Sequence, residues 1–320
     1  MKTAQLLNYA FDRWTPGEGN LAELASAIDG APVATTGSGG LDFGGMLKHA
    51  REVGGPALRK LTFHERARML KALGQAIMAR KEELYELNYL TGATRKDGWI
   101  DIEGGAGTLF SFSSKGRRDL PDAHVLMDGA LEPLSKEGTF VGQHIYTSLQ
   151  GAAVHINAFN FPVWGMLEKL APTLLAGVRG FLKPASTTAY LTEAAFRVMI
   201  ESGILPTGAV QLIVGGVGDL FDHLTGQDVV SFTGSASTAL KLRTHPVVMR
   251  ESVKFIAEQD SLNAWVLGPD AAPGTPEFDL FVREVAIEMT VKAGQKCTAI
   301  RKAIVPSAAS GDFISALQAQ

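Results

Sequence analysis

The 320-residue chain has a single cysteine, Cys297. No disulfide can close within it, and such sparing use fits a reducing compartment. Positive charge is not in excess either: 30 lysines and arginines stand against 33 acidic residues, for a net charge of −3. A nucleic-acid backbone or an anionic membrane surface is therefore not the expected partner. Apolar runs stop short of the roughly 18 residues that a bilayer span requires. Ala152 to Trp164 is broken by His155, Asn157 and Asn160, and Ile204 to Gly218 by Pro206 and glycines. Asp12 and Arg13 fall where a secretory leader would need unbroken apolar sequence. The seven histidines are scattered, His64-Glu65 lacks a second histidine four residues on, and no cysteine pair exists, so no metal site is expected. No serine has glycine two positions before and two after it, which excludes the nucleophile elbow of the hydrolases. The expectation is a soluble, cytoplasmic protein.

What is present is a folding composition, 46% hydrophobic and 20% charged, enough for a sizeable core and long enough for about two domains. After a loop-rich start, Thr62 opens a long amphipathic helical segment with Met69, Leu70, Leu73, Ile77, Leu84 and Leu87 at helical spacing, ended by Gly92. The glycines between Gly37 and Gly45 follow no apolar strand, so they read as a turn rather than a dinucleotide motif. Phe140 to Leu149 reads as a hairpin or edge strand. Then short apolar strands, Ala152 to Asn157, Gly180 to Lys183, Val210 to Val214, Val229 to Phe232 and Val253 to Ala257, alternate with helical stretches near 162–177, 188–202, 217–225 and 234–243. This rhythm predicts an α/β fold, a Rossmann-type parallel sheet with helices on both faces. Beyond a proline-rich loop at Pro269 to Pro276 come a helix to about Ala293, a strand at Arg301 to Val305 and a final helix. These are the start of a second α/β domain, too short to close a core comfortably, so the chain is expected to be part of a longer polypeptide.

Several residues could carry chemistry. Cys297, on a turn in Gly294-Gln295-Lys296-Cys297-Thr298, suits a thiolate nucleophile whose pKa Lys296 or local amides would lower. A buried structural thiol is the competing role. Glu258 follows a strand, where a half-buried carboxylate could accept a proton near neutrality; an ordinary solvated glutamate is the alternative. Asn160 either caps the helix that Pro162 would open or donates to a developing oxyanion. Phe232-Thr233-Gly234-Ser235 joins a strand to a helix whose free amides could meet a phosphate. Lys183 ends another strand on the same edge, where it could hold a ribose or phosphate oxygen or be a plain surface lysine.

In their order and spacing, Asn160-Phe161-Pro162, Lys183-Pro184, Phe232 to Ser235, Glu258 and Gly294 to Thr298 resemble the aldehyde dehydrogenase superfamily, from about residue 40 to the end. His155 to Pro162, Trp164 to Pro172, Asp101 to Gly105 and Asp260 to Asn263 are most similar to the branch acting on CoA-linked semialdehydes in bacterial aromatic degradation, as in phenylacetate catabolism. The resemblance implies that Cys297 attacks the aldehyde, that its amide and Asn160 hold the oxyanion, that Glu258 activates water, and that Lys169 serves a proton relay. It assigns Ile156, Phe159, Lys183, Ser186, Phe232, Gly234, Ser235 and Thr238 to a nicotinamide cofactor. It implies a dinucleotide-binding domain at 1–136 and 151–257, an oligomerisation hairpin at 137–150, the beginning of a catalytic domain at 258–320, and a homodimer or larger assembly. Asp260 and Ser261 depart from the usual glycines, and Ala239 stands where a glycine usually ends the phosphate turn. Ser186 replaces the glutamate of many NAD users; a hydroxyl would not repel a 2′-phosphate, so NADP is expected ahead of NAD. The family's Glu-x-Phe-Gly-Pro motif is not reached by Gln320, so the 320 residues alone are expected to have little or no activity. Two further readings are a CoA-acylating enzyme and a non-catalytic nucleotide-binding module.

Overall fold

A computed structural model describes residues 4–320. They form two compact units, one ending at Glu258 and one beginning at Gln259. The first opens with two antiparallel hairpins, β1 (Leu7–Ala10) with β2 (Arg13–Pro16) and β3 (Ala22–Ala25) with β4 (Pro32–Thr36). Helices follow: α1 (Phe43–His49), a π turn at Ala50–Gly54, α2 (Gly55–Arg59), α3 (Phe63–Ala79), α4 (Lys81–Tyr89) and α5 (Arg95–Asp119). A hairpin of β5 (Leu126–Pro133) and β6 (Val141–Tyr146) precedes the α/β part: β7 (Ala152–Ile156), α6 (Trp164–Leu175), β8 (Arg179–Lys183), α7 (Ala189–Glu201), β9 (Val210–Leu212), β10 (Val229–Gly234), α8 (Ala236–Arg243), α9 (Pro246–Arg250) and β11 (Lys254–Gln259).

Thr62 starts α3 as the sequence predicts. Its hydroxyl accepts from the Glu65 N–H at 3.2 Å and its own N–H donates to the Glu65 carboxylate at 2.7 Å, a reciprocal cap. The helical segment does not run unbroken to Gly92, because Arg80, at φ −116°, leaves the helical region and divides α3 from α4.

The seven-stranded sheet has the order β11-β10-β7-β8-β9-β1-β2. β10, β7, β8 and β9 pair in parallel; β7, β8 and β9 are buried on both faces, whereas β10 alternates buried with half-buried residues. Alternate residues enter different cores: Leu182 and Leu212 pack with α3, α5, α6 and α7, whereas Phe181 and Ile213 pack with α1 and Phe221. At Gly180 a side-chain carbon would come within 2.6 Å of Leu170, so only glycine lets α6 lie this close to the sheet.

In the second unit β12 (Asn263–Val266) pairs in parallel with β13 (Ile300–Ile304), and α10 (Pro276–Thr290) and α11 (Ser310–Gln318) close a small core around Phe278, Phe281, Val285, Ile300 and Phe313.

The loop-rich start is where the sequence misleads. β1 joins the sheet antiparallel to β9, and the β1–β2 turn is made by Phe11 and Asp12 at φ 53° and 60°, with none of the glycine or asparagine that signals such a turn. The expected helix at 217–225 is only a 3-10 turn at Leu220–His223, and β5, with Asp128, Gly129 and Glu132, lacks the apolar alternation that would reveal it.

Candidate active site

From β7 the chain builds β8 and β9 to one side, then returns to build β10 and β11 on the other. The β7/β10 boundary is thus the switch point, where an α/β sheet opens a ligand crevice at the carboxyl ends of its strands. Register places Phe232 beside Ile156 and Ile156 beside Lys183, one row across three strand ends. Most of the Lys183 side chain is out of solvent, and this burial lowers its pKa. Its Nζ donates to the Pro184 carbonyl at 2.6 Å. Ser186 begins a 3-10 turn just beyond. Ser235 caps α8, accepting from the Thr238 N–H at 3.3 Å; that amide, one of those offered to a phosphate, is therefore engaged.

Asn160 lies half-buried and Phe159 exposed in the loop between β7 and α6. Three contacts fix that loop. The Thr188 hydroxyl donates to the Phe159 carbonyl at 3.1 Å, the Thr192 hydroxyl to the Pro162 carbonyl at 2.9 Å, and the Asp101 carboxylate accepts from Val163 N–H at 3.2 Å and Trp164 N–H at 2.8 Å. The last replaces a local cap: α6 begins at Trp164, and Val163 before it has no side chain to offer. Fully buried Asp101, reaching over from α5, thus caps the helix from outside its own sequence.

Lys169, on α6, is largely buried, which lowers its pKa; Glu168, 3.4 Å away, and the charge of Glu258 oppose that shift. The structure thus brings Lys169 within electrostatic reach of Glu258. Glu258 is exposed on β11 rather than half-buried. Beneath α6, His155 is pushed down to about 3 by burial and then by the Lys169 charge, so its ring is neutral at ordinary pH, 3.0 Å from the Thr173 hydroxyl. His155 Nδ1, both amide atoms of Asn157 and the Thr233 hydroxyl are buried without a hydrogen-bond partner.

In the second unit Cys297 is exposed on the turn after α10. Asn263 holds that turn: its amide nitrogen donates to the carbonyls of Cys297 at 2.6 Å and Ala299 at 3.1 Å. The ammonium group of Lys296 pairs with Glu288 at 2.6 Å instead of standing alone beside the thiol. Lys292, Ala293 and Gly294 are consecutively left-handed, at φ 54°, 53° and 71°.

Asp101 and Asn263 are the positioning residues that composition and periodicity do not single out. A lone acid at an inward helical position was the available signal for the first, and the second gives none before β12 is known to lie beside β13.

Comparison with known proteins agrees with the fold. The aldehyde dehydrogenase family model matches residues 14–320, and the chain belongs to that family. It is 46% identical over 307 residues, 96% of its length, to 3,4-dehydroadipyl-CoA semialdehyde dehydrogenase of Aromatoleum evansii, and 30% identical over 259 residues, 79% of its length, to α-ketoglutarate semialdehyde dehydrogenase of Haloferax volcanii. It spans 59% and 50% of the lengths of those proteins. Among solved structures it superposes on betaine aldehyde dehydrogenase of Staphylococcus aureus in complex with NAD+ (TM-score 0.84, 21% identity, 99% of this chain and 60% of that one) and on 3,6-anhydro-L-galactose dehydrogenase in complex with NAP (TM-score 0.84, 20% identity, 98% and 63%).

Proposed function

We propose that the intact protein oxidises a CoA-linked semialdehyde to its carboxylate with NADP. The row Phe232–Ile156–Lys183 at the switch point carries this reading, and the name of the Aromatoleum protein supports the substrate class.

The strand edge fits a dinucleotide. Lys183 offers a cation, α8 presents its N-terminus, the Thr233 hydroxyl is a buried group without a partner, and at Gly234 a side-chain carbon would come within 2.7 Å of the Phe232 ring. Ile156, Phe159, Lys183, Phe232, Gly234, Ser235 and Thr238 would hold the cofactor, and Ser186 would accept a 2′-phosphate where a carboxylate would repel it. When bound, the nicotinamide supplies the hydride acceptor. The chain's own residues do the rest. As the family resemblance implies, the Cys297 thiolate would attack the aldehyde carbon and form a thiohemiacetal, its oxyanion met by the Cys297 amide and the Asn160 side chain. After oxidation to the thioester, Glu258 would take a proton from the attacking water, the C–S bond would break to return the Cys297 thiolate as the carboxylate forms, and Lys169 would serve the proton relay. Residues 1–136 and 151–257 would form the dinucleotide-binding domain, 137–150 the arm of a homodimer, and 258–320 the start of the catalytic domain.

Steady-state turnover of the intact protein tests this. Product should form without free CoA, faster with NADP than with NAD. Cys297 should react quickly with a thiol reagent, be protected by aldehyde, and slow on Asn160→Ala. An absolute need for free CoA would establish the acylating reading, and an inert thiol a non-catalytic nucleotide-binding module.

A further inference from the structure

At the opposite ends of the parallel strands, where they begin, three guanidinium groups gather and one of them, that of Arg51, pairs with a carboxylate. Arg179, the first residue of β8, is fully buried. Arg59 ends α2, and Arg51 lies in the π turn, a local irregularity often found at functional sites. Arg51 donates to both oxygens of Asp228, through Nε at 3.4 Å and through Nη2, and to the His223 carbonyl at 3.0 Å. Asp228, also fully buried, accepts in addition from Ala152 N–H at 2.6 Å, Thr225 N–H at 2.7 Å and the Thr225 hydroxyl at 3.0 Å. A carboxylate offers about four lone-pair positions, so Asp228 is saturated and has none for Arg179.

Arg179 uses Nη1 on the Leu149 carbonyl at 3.3 Å, which leaves its Nε and Nη2 buried and without partners; Arg59 Nη1 is in the same condition. The two groups converge at Gly55, where a side-chain carbon would come within 2.5 Å of Arg179 Nη1 and 2.8 Å of Arg59 Nη1. Arg179 is lowered to about 10, first by burial and then by repulsion from Arg59, and Arg51 adds to the repulsion while Asp228 opposes it. It stays charged at neutral pH. A buried cation with unmet N–H groups costs several kcal/mol unless an anion joins it, and the guanidinium fork matches the paired oxygens of phosphate or carboxylate. The Arg51 side chain is 25% exposed and Arg59 half-buried, so the cluster lies near the surface while the unpaired nitrogens themselves are covered, and an entering anion must displace the Arg51 or Arg59 side chain.

We propose that Arg179 and Arg59, flanked by Arg51, form a binding site for a small oxyanion, either inorganic phosphate or a free carboxylate, whose oxygens take the N–H groups that the protein leaves unpaired. This site is separate from the cofactor edge and does not depend on the proposed reaction.

Thermal unfolding of the 320-residue chain tests it, with inorganic phosphate and succinate as separate arms, each against sodium chloride at equal ionic strength. In at least one arm Tm should climb by about 3 °C for each tenfold rise in anion above its dissociation constant, and the stronger arm identifies the chemistry. The response should persist in Lys183→Ala, which removes the cation of the cofactor edge, and vanish in Arg59→Gln. Arg179→Met should lose the response and be at least as stable as wild type without anion; should it fail to fold, Arg59→Gln carries the test. Equal Tm in phosphate, succinate and matched chloride overturns the proposal. So does a response that survives Arg59→Gln or is lost in Lys183→Ala.

Discussion

Replacing Asp101 tests how the loop that carries Asn160 is held. The carboxylate is fully buried and accepts from two backbone N–H groups at the start of α6, which has no cap of its own. Losing a cap costs about 1 kcal/mol, losing hydrogen bonds to a charged acceptor about 1.5–3 kcal/mol, and these overlap because the same N–H groups are counted in both. We expect Asp101→Ala to cost about 3 kcal/mol. At about 2–4 °C per kcal/mol for a unit of this size, Tm would fall by roughly 6–12 °C. Asp101→Asn keeps an oxygen and the shape but gives up the charge facing the helix N-terminus, a loss of about 1 kcal/mol. Urea unfolding, compared through midpoints at unchanged slope, measures both. An alanine variant within about 0.5 kcal/mol of wild type would mean that water caps α6 equally well. An asparagine variant as damaged as alanine would mean that charge, not the accepting oxygen, does the holding. Either result refutes the argument.

Three further outcomes follow from the geometry. His155 sits near 3 in the fold against about 6.5 unfolded, so below about 6.5 the unfolded chain binds a proton that the fold refuses. This contribution is complete above 6.5 and is lost toward pH 3 by up to about 1.4 kcal/mol per pH unit; urea midpoints from pH 6.5 to 4.5 should therefore fall less steeply in His155→Gln, and parallel curves would contradict this. In the intact protein Ser186→Glu should move the kcat/KM ratio at least about tenfold toward NAD, through repulsion of the 2′-phosphate; an unchanged ratio removes Ser186 from cofactor choice. Asn263→Ala should speed amide exchange across residues 295–300 at least about fivefold, the size expected for about 1 kcal/mol of lost hydrogen bonding, and unaltered exchange would show that the Cys297 turn holds itself.

The parallel strands were legible because burial on both faces writes itself as short continuous apolar runs, as in Ala152 to Ile156 and Gly180 to Lys183. The candidates Lys183 and Phe232 at their carboxyl ends followed from the same reading, since a strand end is visible wherever such a run meets a turn, whereas Ile156 and Ser186 came only from the family resemblance. What remained hidden depends on contacts distant in sequence. β1 becomes a strand by pairing with β9, where Tyr9 lies opposite Leu212, and no local pattern at Leu7 to Ala10 announces a partner some 200 residues away. Asp101 looks like any helical acid until the loop it caps, more than 60 residues further on, folds against α5. Lys296 looked like the group that tunes Cys297, yet Glu288, one helix earlier, takes its charge.

Cys297 and the strand-end residues are also held by different physics. Ile156, Lys183 and Phe232 are fixed by a hydrogen-bonded ladder whose register leaves them no freedom to slip, because a shift of one residue would send every buried side chain into the opposite core. Cys297 instead rides on a turn entered through two non-glycine residues in the left-handed region, each costing on the order of 1–2 kcal/mol. The turn persists because neighbouring contacts overdetermine it, and Asn263, donating to carbonyls on either side of Thr298, is the contact best placed to do so. Backbone strain of this kind concentrates at functional sites, so the conformation of Lys292 and Ala293 is an independent reason to look for chemistry at Cys297, one that owes nothing to the identity of the cysteine.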